Sequence, residues 1–599
     1  MADLLKHSQV DESMTWDLTD LYPDAKAWED DFKRLDEALA QFLKWQGHLG
    51  DSPESLLAAF KDSDALGRLE EKLYTYAHLR KDEDTTDSNA GGRCSRIEAK
   101  AAEISGQTAW FDPELMQIPV EKFEQFRNDP ILAFYKRTLD ETERERPHTL
   151  SSAEERILGM SSDVFGTSHR VFSLLNDADL KFPKIKNEEG KRVTLSHGTY
   201  RKYMESSNRD VRRAAFRGLH KTFGDFRNTF TNLLESTVKA NCLSAKLRHY
   251  PDALSAALAG ANIPVEVYRT LIKTVRASFP SYYPYFAYRA ERMGLEQLEI
   301  FDIQNSIVTE VPERKYSWQE ATELVTAACR PLGEEYQREM RHAFTDRWID
   351  IPECKGKRSG AYSWGCYDSN PYMLLNFNGT LDDVSTLAHE LGHSMHSYFS
   401  HKNQEYHYAS YHIFAAEIAS TTNELLLHHS LMQSSTDPAF QAYLLNNLLD
   451  TIRGTFYRQT MFAEFELMLH EKCEAGEPLT ADLLCEEYMA LNAAYHGPAV
   501  AQTPEIRFEW ARIPHFHYGF YVYQYATGIS AAAAFVRKIL AGETEPYLNF
   551  LKAGDSRDVM DIMKDAGVDF TTPAPAEATA TLFAETLSQL KTTLSACGK

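Results

Sequence analysis

Turn-forming residues are scarce in this chain. Its 599 residues include only 29 glycines and 23 prolines, below the share of an average globular composition. An all-β architecture needs turn signals every few residues, so this scarcity points to long helices instead. Cysteine is thin as well: eight are scattered with no C-x-x-C pair, which argues against disulfide staples and fits a reducing cytoplasm. The longest uncharged run of small residues, near Ile529–Val536, falls far short of the roughly 18 apolar residues that span a bilayer. Met1–Val10 has neither the positive start nor the apolar stretch of a cleaved export signal. Positive charge is in deficit too. Against 87 acidic residues stand 64 Lys and Arg, a net charge of −23 with no long basic run, which excludes nucleic acid and anionic membrane as expected partners.

What is present is an ample core composition, 43% hydrophobic with 25% charged, suited to a large folded body. Trp28, Phe32, Leu35, Leu39 and Phe42 recur at helical spacing behind Asp24, a candidate N-cap. Similar periodicity runs through 56–80, 90–111, 153–175 and 200–258, with interruptions at Gly47–Pro53 and Pro113–Pro119. A hairpin is predicted from Leu180–Phe182 to Arg192–Thr194 around Asn187–Gly190, and a small sheet at Tyr372–Phe377. The Arg209, Arg212, Arg213, Arg217 and Lys221 run reads as a solvated helix face. The expected fold is therefore mainly α. Its segments are 1–115, an N-terminal helical region; 116–199, helical with the hairpin; and 200–599, the long remainder.

The chemistry concentrates in His389-Glu390-Leu391-Gly392-His393, inside the helix-compatible segment Val384–Ser400. One helical turn separates the two histidines, so both imidazoles face one side and can bind one Zn²⁺ at about 2.0–2.1 Å. Glu390 is rotated roughly 100° from His389, beside the metal without being a ligand, where a general base stands. A catalytic zinc needs a third protein ligand. The metzincin extension is excluded, because position 396 carries His396 instead of glycine and position 399 carries Phe399 instead of histidine. A glutamate from a following helix is the other common solution, with Glu405, Glu417 and Glu424 in reach. Glu405 leaves little chain to begin an opposing helix. Glu417 is the expected ligand, since Ala415, Ala416, Ala419 and Ser420 let helices approach closely; Glu424, two turns on, is expected to orient a ligand histidine. His396, His401, His407 and His412 are read as packing or surface residues.

Together with the downstream Glu417-Ile418-Ala419-Ser420-Thr421-Thr422-Asn423-Glu424 and the aromatic segment Ile513–Gly528, the motif resembles the oligoendopeptidase F branch of the thimet oligopeptidase family of zinc metallopeptidases. The likeness covers most of the chain, from Thr15-Trp16-Asp17-Leu18 to Lys564–Asp569. It implies a two-lobed helical body with a deep substrate channel and a small sheet near the zinc helix. It also implies a peptidase acting on short, unstructured peptides. By residue, it makes His389, His393 and Glu417 the ligands of one zinc per chain and Glu390 the base. It further implies that His515 and Tyr523, with Tyr518 as an additional candidate, donate to the oxyanion of the tetrahedral intermediate. Helical geometry across this segment would place Tyr518, Tyr521 and Tyr525 on one face and Phe516, Phe520, Tyr523 and Thr527 on another.

The expected activity is zinc-dependent endopeptidase cleavage of oligopeptides, with Tyr372–Phe377, if an edge strand, pairing with the substrate backbone. A zinc carboxypeptidase or dipeptidyl carboxypeptidase is the competing enzyme. A non-catalytic helical peptide-binding protein is the alternative of another class. Peptides blocked at both ends separate the first two, and zinc-free peptide binding without hydrolysis marks the third.

Overall fold

The computed structural model of the protein describes residues 4–308 and 314–596, so Cys597 lies outside the described residues. The fold is mainly helical, with two- and three-stranded sheets only. The chain packs as two compact units, each drawn from three separate segments: unit 1 from 1–152, 314–431 and 536–567, unit 2 from 153–313, 432–535 and 568–599.

In unit 1, helix α1 (Ala25–Leu43) begins where the Asp24 carboxylate accepts the Ala27 N–H. Trp28, Leu35, Leu39 and Phe42 are buried, as their spacing predicts. α1 packs on α2 (Pro53–Glu83), and α2 on α3 (Ser88–Thr108). The interruption expected from Pro113 is instead the short helix Phe111–Gln117. Pro113 lies in its first turn, where no intrahelical N–H bond is lost.

The sheet of unit 1 carries β1 (Ile349–Pro352), β2 (Tyr362–Trp364) and β3 (Tyr372–Phe377), in the order β1-β3-β2. β3 runs parallel to β1 and antiparallel to β2, so Tyr372–Phe377 is the central strand, and the edge position on which its pairing with substrate depended is not met. The edge is β2. It folds back onto β3 through a turn that only glycine closes, since a Cβ at Gly365 would stand 2.6 Å from the Asn370 carbonyl oxygen. The amino-terminal segment seals this sheet: Tyr372 donates to the Asp17 carbonyl at 2.8 Å, and Trp16 Nε1 to Glu83 at 2.6 Å. Beyond it run α4 (Gly333–Thr345), α5 (Leu381–Asn403), α6 (Ile413–Ser434) and α7 (Glu545–Lys552). α5 packs against α4, β2, β3 and α7.

Unit 2 breaks the expected helical stretch 200–258 into separate helices, among them Arg209–Asp225 and Arg227–Leu247. Its hairpin pairs Lys184–Lys186 with Arg192–Thr194, the first strand lying four residues later than predicted. The Asn187–Gly190 turn sets that register, with Gly190 at φ +73°. The arginine run is not uniformly solvated. Arg212 is buried and donates to Asp302 at 2.7 Å, while Arg209 holds the same fully buried carboxylate at 2.8 Å. A charge partner some 90 residues away is invisible to local pattern.

Candidate active site

α5 starts from a capping box. Thr380 accepts the Asp383 N–H, and Asp383 accepts the Thr380 N–H at 2.8 Å, which fixes the helix entry two turns before His389. His389 and His393 then emerge on one face, their Nε2 atoms 3.2 Å apart. Glu417 on α6 completes a triangle, its Oε2 lying 3.5 Å from His389 Nε2 and 3.6 Å from His393 Nε2. Three ligands on one zinc at about 2.0–2.2 Å in tetrahedral geometry are separated by about 3.3–3.6 Å. The donor set fits the ion in spacing and in ligand chemistry. Among the described residues these three form a cluster able to hold a metal.

The close approach of α6 to α5 has a specific cause. A Cβ at Gly392 would meet Ser420 Cα at 2.5 Å and the Ala419 carbonyl oxygen at 2.6 Å, so backbone packs on backbone between the two histidines. Asn423, fully buried, ties the pair further by donating to the Ala388 carbonyl at 3.2 Å and to Tyr336 on α4 at 3.1 Å.

Glu424 stands one step behind the triangle. Its Oε1 is 2.6 Å from His389 Nδ1, which places the ring proton on Nδ1 and leaves Nε2 as the lone-pair nitrogen facing Glu417 and His393. Burial disfavours charge on His389, but the hydrogen bond and charge of Glu424 outweigh it and raise its pKa. Glu417 is held below the ordinary glutamate value, chiefly by its hydrogen bond with His393, against the cost of partial burial.

Glu390 is buried, and burial pushes its pKa up, opposed by the charges of His389 and His393. A carboxylate of raised basicity next to a metal triangle is suited to taking a proton from water. Edge strand β2 adjoins it, with Ser363 Oγ 2.7 Å from Ser394 Oγ on α5.

The surplus histidines do structural work. His396 is buried and stacked on Tyr411 at 3.8 Å between ring centres, and burial lowers its pKa to about 3. His407 bridges Asp64 and Thr138, each at 2.8 Å, and the His412 ring accepts the Phe414 N–H at 3.0 Å at the start of α6. Glu405 precedes the turn Tyr406–Tyr408 and takes no part in the triangle.

His515, Tyr518 and Tyr523 belong to unit 2, where the aromatic segment is not the continuous helix that periodicity suggested. Pro514–His517 is a single 3-10 turn, Gly519 and Phe520 take positive φ of +65° and +53°, and an α-helix begins only at Tyr523. The ring of His515 gathers Tyr518, Tyr521 and Tyr525 at 5.7, 6.1 and 5.8 Å between centres, and His515 Nε2 lies 3.3 Å from the Tyr525 hydroxyl. Burial holds the His515 imidazole below its ordinary pKa. Tyr518 is half exposed. Tyr523 is elsewhere: only 2% exposed, it packs on Tyr268 at 5.0 Å, and burial raises its phenol far above the usual range. Tyr521 and Tyr525 therefore join the histidine, and the 518/521/525 stripe was the signal that marked them.

Comparison with known proteins follows the same lines. A family model described as peptidase family M3 matches residues 202–582, and one described as oligopeptidase F matches 114–182. Oligopeptidase PepF of Bacillus subtilis is 41% identical over 589 residues, 98% of this chain and 88% of that protein. An oligoendopeptidase F homolog of Lactococcus lactis is 38% identical, covering 98% of each. Among solved structures, oligoendopeptidase-F from Enterococcus faecium aligns with TM-score 0.73 and 36% identity over 95% of this chain and 99% of that one. A crystal structure from Chlamydophila abortus, described as a candidate peptidase, aligns with TM-score 0.93 and 37% identity over 99% and 100%.

Proposed function

The chain belongs to peptidase family M3 and is a peptidase, and on that premise we propose that it is a zinc-dependent endopeptidase hydrolysing internal bonds of short, unstructured oligopeptides. The observation that carries this reading is the triangle of His389, His393 and Glu417 with Glu390 beside it, spaced for one tetrahedral ion. Held there, zinc supplies Lewis-acid activation of the scissile carbonyl and of the attacking water.

The chain's own residues do the rest. Glu390 takes the proton from the water as it attacks and delivers it to the departing amine nitrogen. Glu424 keeps His389 in one tautomer, so its Nε2 lone pair faces His393 and Glu417, the residues that would hold the ion with it. An extended peptide pairs along the outer edge of β2, beside Glu390, in the role first given to Tyr372–Phe377. As donors to the oxyanion we propose His515 and Tyr518 with Tyr521 and Tyr525, which share one ring cluster, in preference to the buried Tyr523.

We also propose 1–115, 116–199 and 200–599 as the family segments of the chain, and the cytoplasm as its location. No helix among the described residues is long and apolar enough to cross a membrane.

The test joins metal analysis to cleavage of an internally quenched peptide blocked at both termini. We expect about one zinc per chain and internal cleavage that a chelator abolishes and zinc restores. Bound zinc with cleavage confined to free-ended peptides would replace the endopeptidase by an exopeptidase. Undiminished cleavage after complete metal removal would discard the mechanism.

A further inference from the structure

Behind the aromatic cluster of unit 2 lies a carboxyl group to which the proposed mechanism gives no task. Glu466, on the helix Arg458–Glu474, is 1% exposed. Its Oε1 accepts the backbone N–H of Phe520 at 2.6 Å, while its Oε2 is buried and has no hydrogen-bond partner among the described residues. Phe520 is one of few non-glycine residues in the left-handed region, at φ +53°, next to Gly519 at φ +65°. A phenylalanine held in that conformation is costly unless its surroundings impose it.

The surroundings do impose it. The Phe520 ring lies 4.4 Å from His470 and 5.7 Å, edge to face, from Tyr268. His470, one helical turn beyond Glu466, is locked in one neutral tautomer. Its Nδ1 donates to the Glu466 carbonyl at 2.8 Å, and its Nε2 accepts from Asn241 Nδ2 at 3.2 Å. Burial keeps that imidazole uncharged, with a pKa near 4. Asn241 in turn closes over the glycine, since a Cβ on Gly519 would come within 3.3 Å of its Nδ2. The turn so held lies between Tyr518 and Tyr521, two of the three phenols around His515.

We propose that Glu466 is a positioning residue: from the core of unit 2 it fixes the left-handed Gly519–Phe520 turn and so sets the direction in which Tyr518 and Tyr521 are presented beside His515. The inference rests on the catalytic use of that cluster. Glu466 touches no reacting atom. Burial pushes its carboxyl up to about 8, opposed by the Phe520 N–H, so the group is mostly neutral at pH 7 and glutamine can replace it as the acceptor.

The experiment compares wild type with Glu466→Ala, Glu466→Gln and Gly519→Ala, reading amide hydrogen exchange across 514–522, zinc content, and kcat and KM on the doubly blocked peptide. Glu466→Ala should speed exchange at Phe520 and lower kcat about ten- to a hundredfold with zinc content unchanged, the scale at which small misplacements act. Glu466→Gln should restore both. Gly519→Ala, which disturbs the turn from the side covered by Asn241, should lower kcat in the same way and stands in if Glu466→Ala does not fold. Unchanged exchange in Glu466→Ala removes the anchor. Faster exchange with full kcat removes its effect on catalysis. A wild type that cleaves no peptide, with Phe520 still protected by Glu466, defeats the endopeptidase reading and leaves the anchor standing.

Discussion

Glu390→Gln removes the proposed base while keeping shape, and the triangle beside it does not include that side chain. The variant should bind zinc as wild type does and lose about 10²–10⁴-fold in kcat, measured by metal analysis alongside turnover. Retained turnover in zinc-loaded protein would falsify the assignment. This part of the site was legible because it is local: two histidines one helical turn apart share a face in any α-helix. Glu417 was legible for a less direct reason, the small residues around it, which the structure translates into the backbone contact of Ser420 with Gly392. Tyr523 was taken from the resemblance, whereas the spacing of Tyr518, Tyr521 and Tyr525 already set it on another face, and it is those three that surround His515. Nothing in the periodicity of Phe516–Tyr525 reveals that Phe520 takes a positive φ.

Helix pairs, not single residues, hold the metal triangle in shape. Gly392→Ala introduces a methyl group 2.5 Å from a backbone atom of α6, which cannot move as a flexible side chain can. Prying the helices apart should cost about 1–3 kcal/mol in thermal or denaturant melts and weaken zinc binding, because Glu417 rides on α6. A variant that melts and binds zinc like wild type would count against the contact. On the other side, α4 braces α5 through Glu339, which accepts from Tyr398 at 2.5 Å and from Lys402 at 3.1 Å.

Partial burial opposes ionisation of Glu339, but those donors and Arg338 prevail and pull its carboxyl from 4.5 to about 2. A pKa lowered by folding contributes stability that is full above the unfolded value and fades as pH falls toward the folded one. Glu339→Gln should therefore be less stable than wild type at pH 7, and the gap should close between about pH 4.5 and pH 2 in acid titrations followed by circular dichroism. A gap independent of pH would deny the brace. The sheet shows where element-scale reading stops: β3 was found from its own residues, but its central place depends on β2 and β1, and pairing is not a local property.

Over the whole molecule, composition alone indicated helices, yet neither unit is a continuous stretch of chain. The interleaving went unseen because each helix reports only its own apolar face. It has a consequence for how the protein is born. α7 covers α5: the Phe550 ring lies 4.9 Å from that of His396, the Lys552 carbonyl accepts from Gln404 at 2.8 Å, and the Asp555 N–H donates to the Tyr408 carbonyl at 2.9 Å. These residues leave the ribosome more than 150 positions after His393, a delay of about 8–30 s at usual elongation speeds. For that interval the metal helix exists without its cladding. A ribosome-tethered chain halted before Val536 should hold no zinc and cut no peptide, readable by metal analysis of arrested complexes, and full activity there would refute the point. Late arrival of one short helix thus acts as a timer, keeping a peptide-cutting enzyme silent while its own unfolded chain is still emerging beside it.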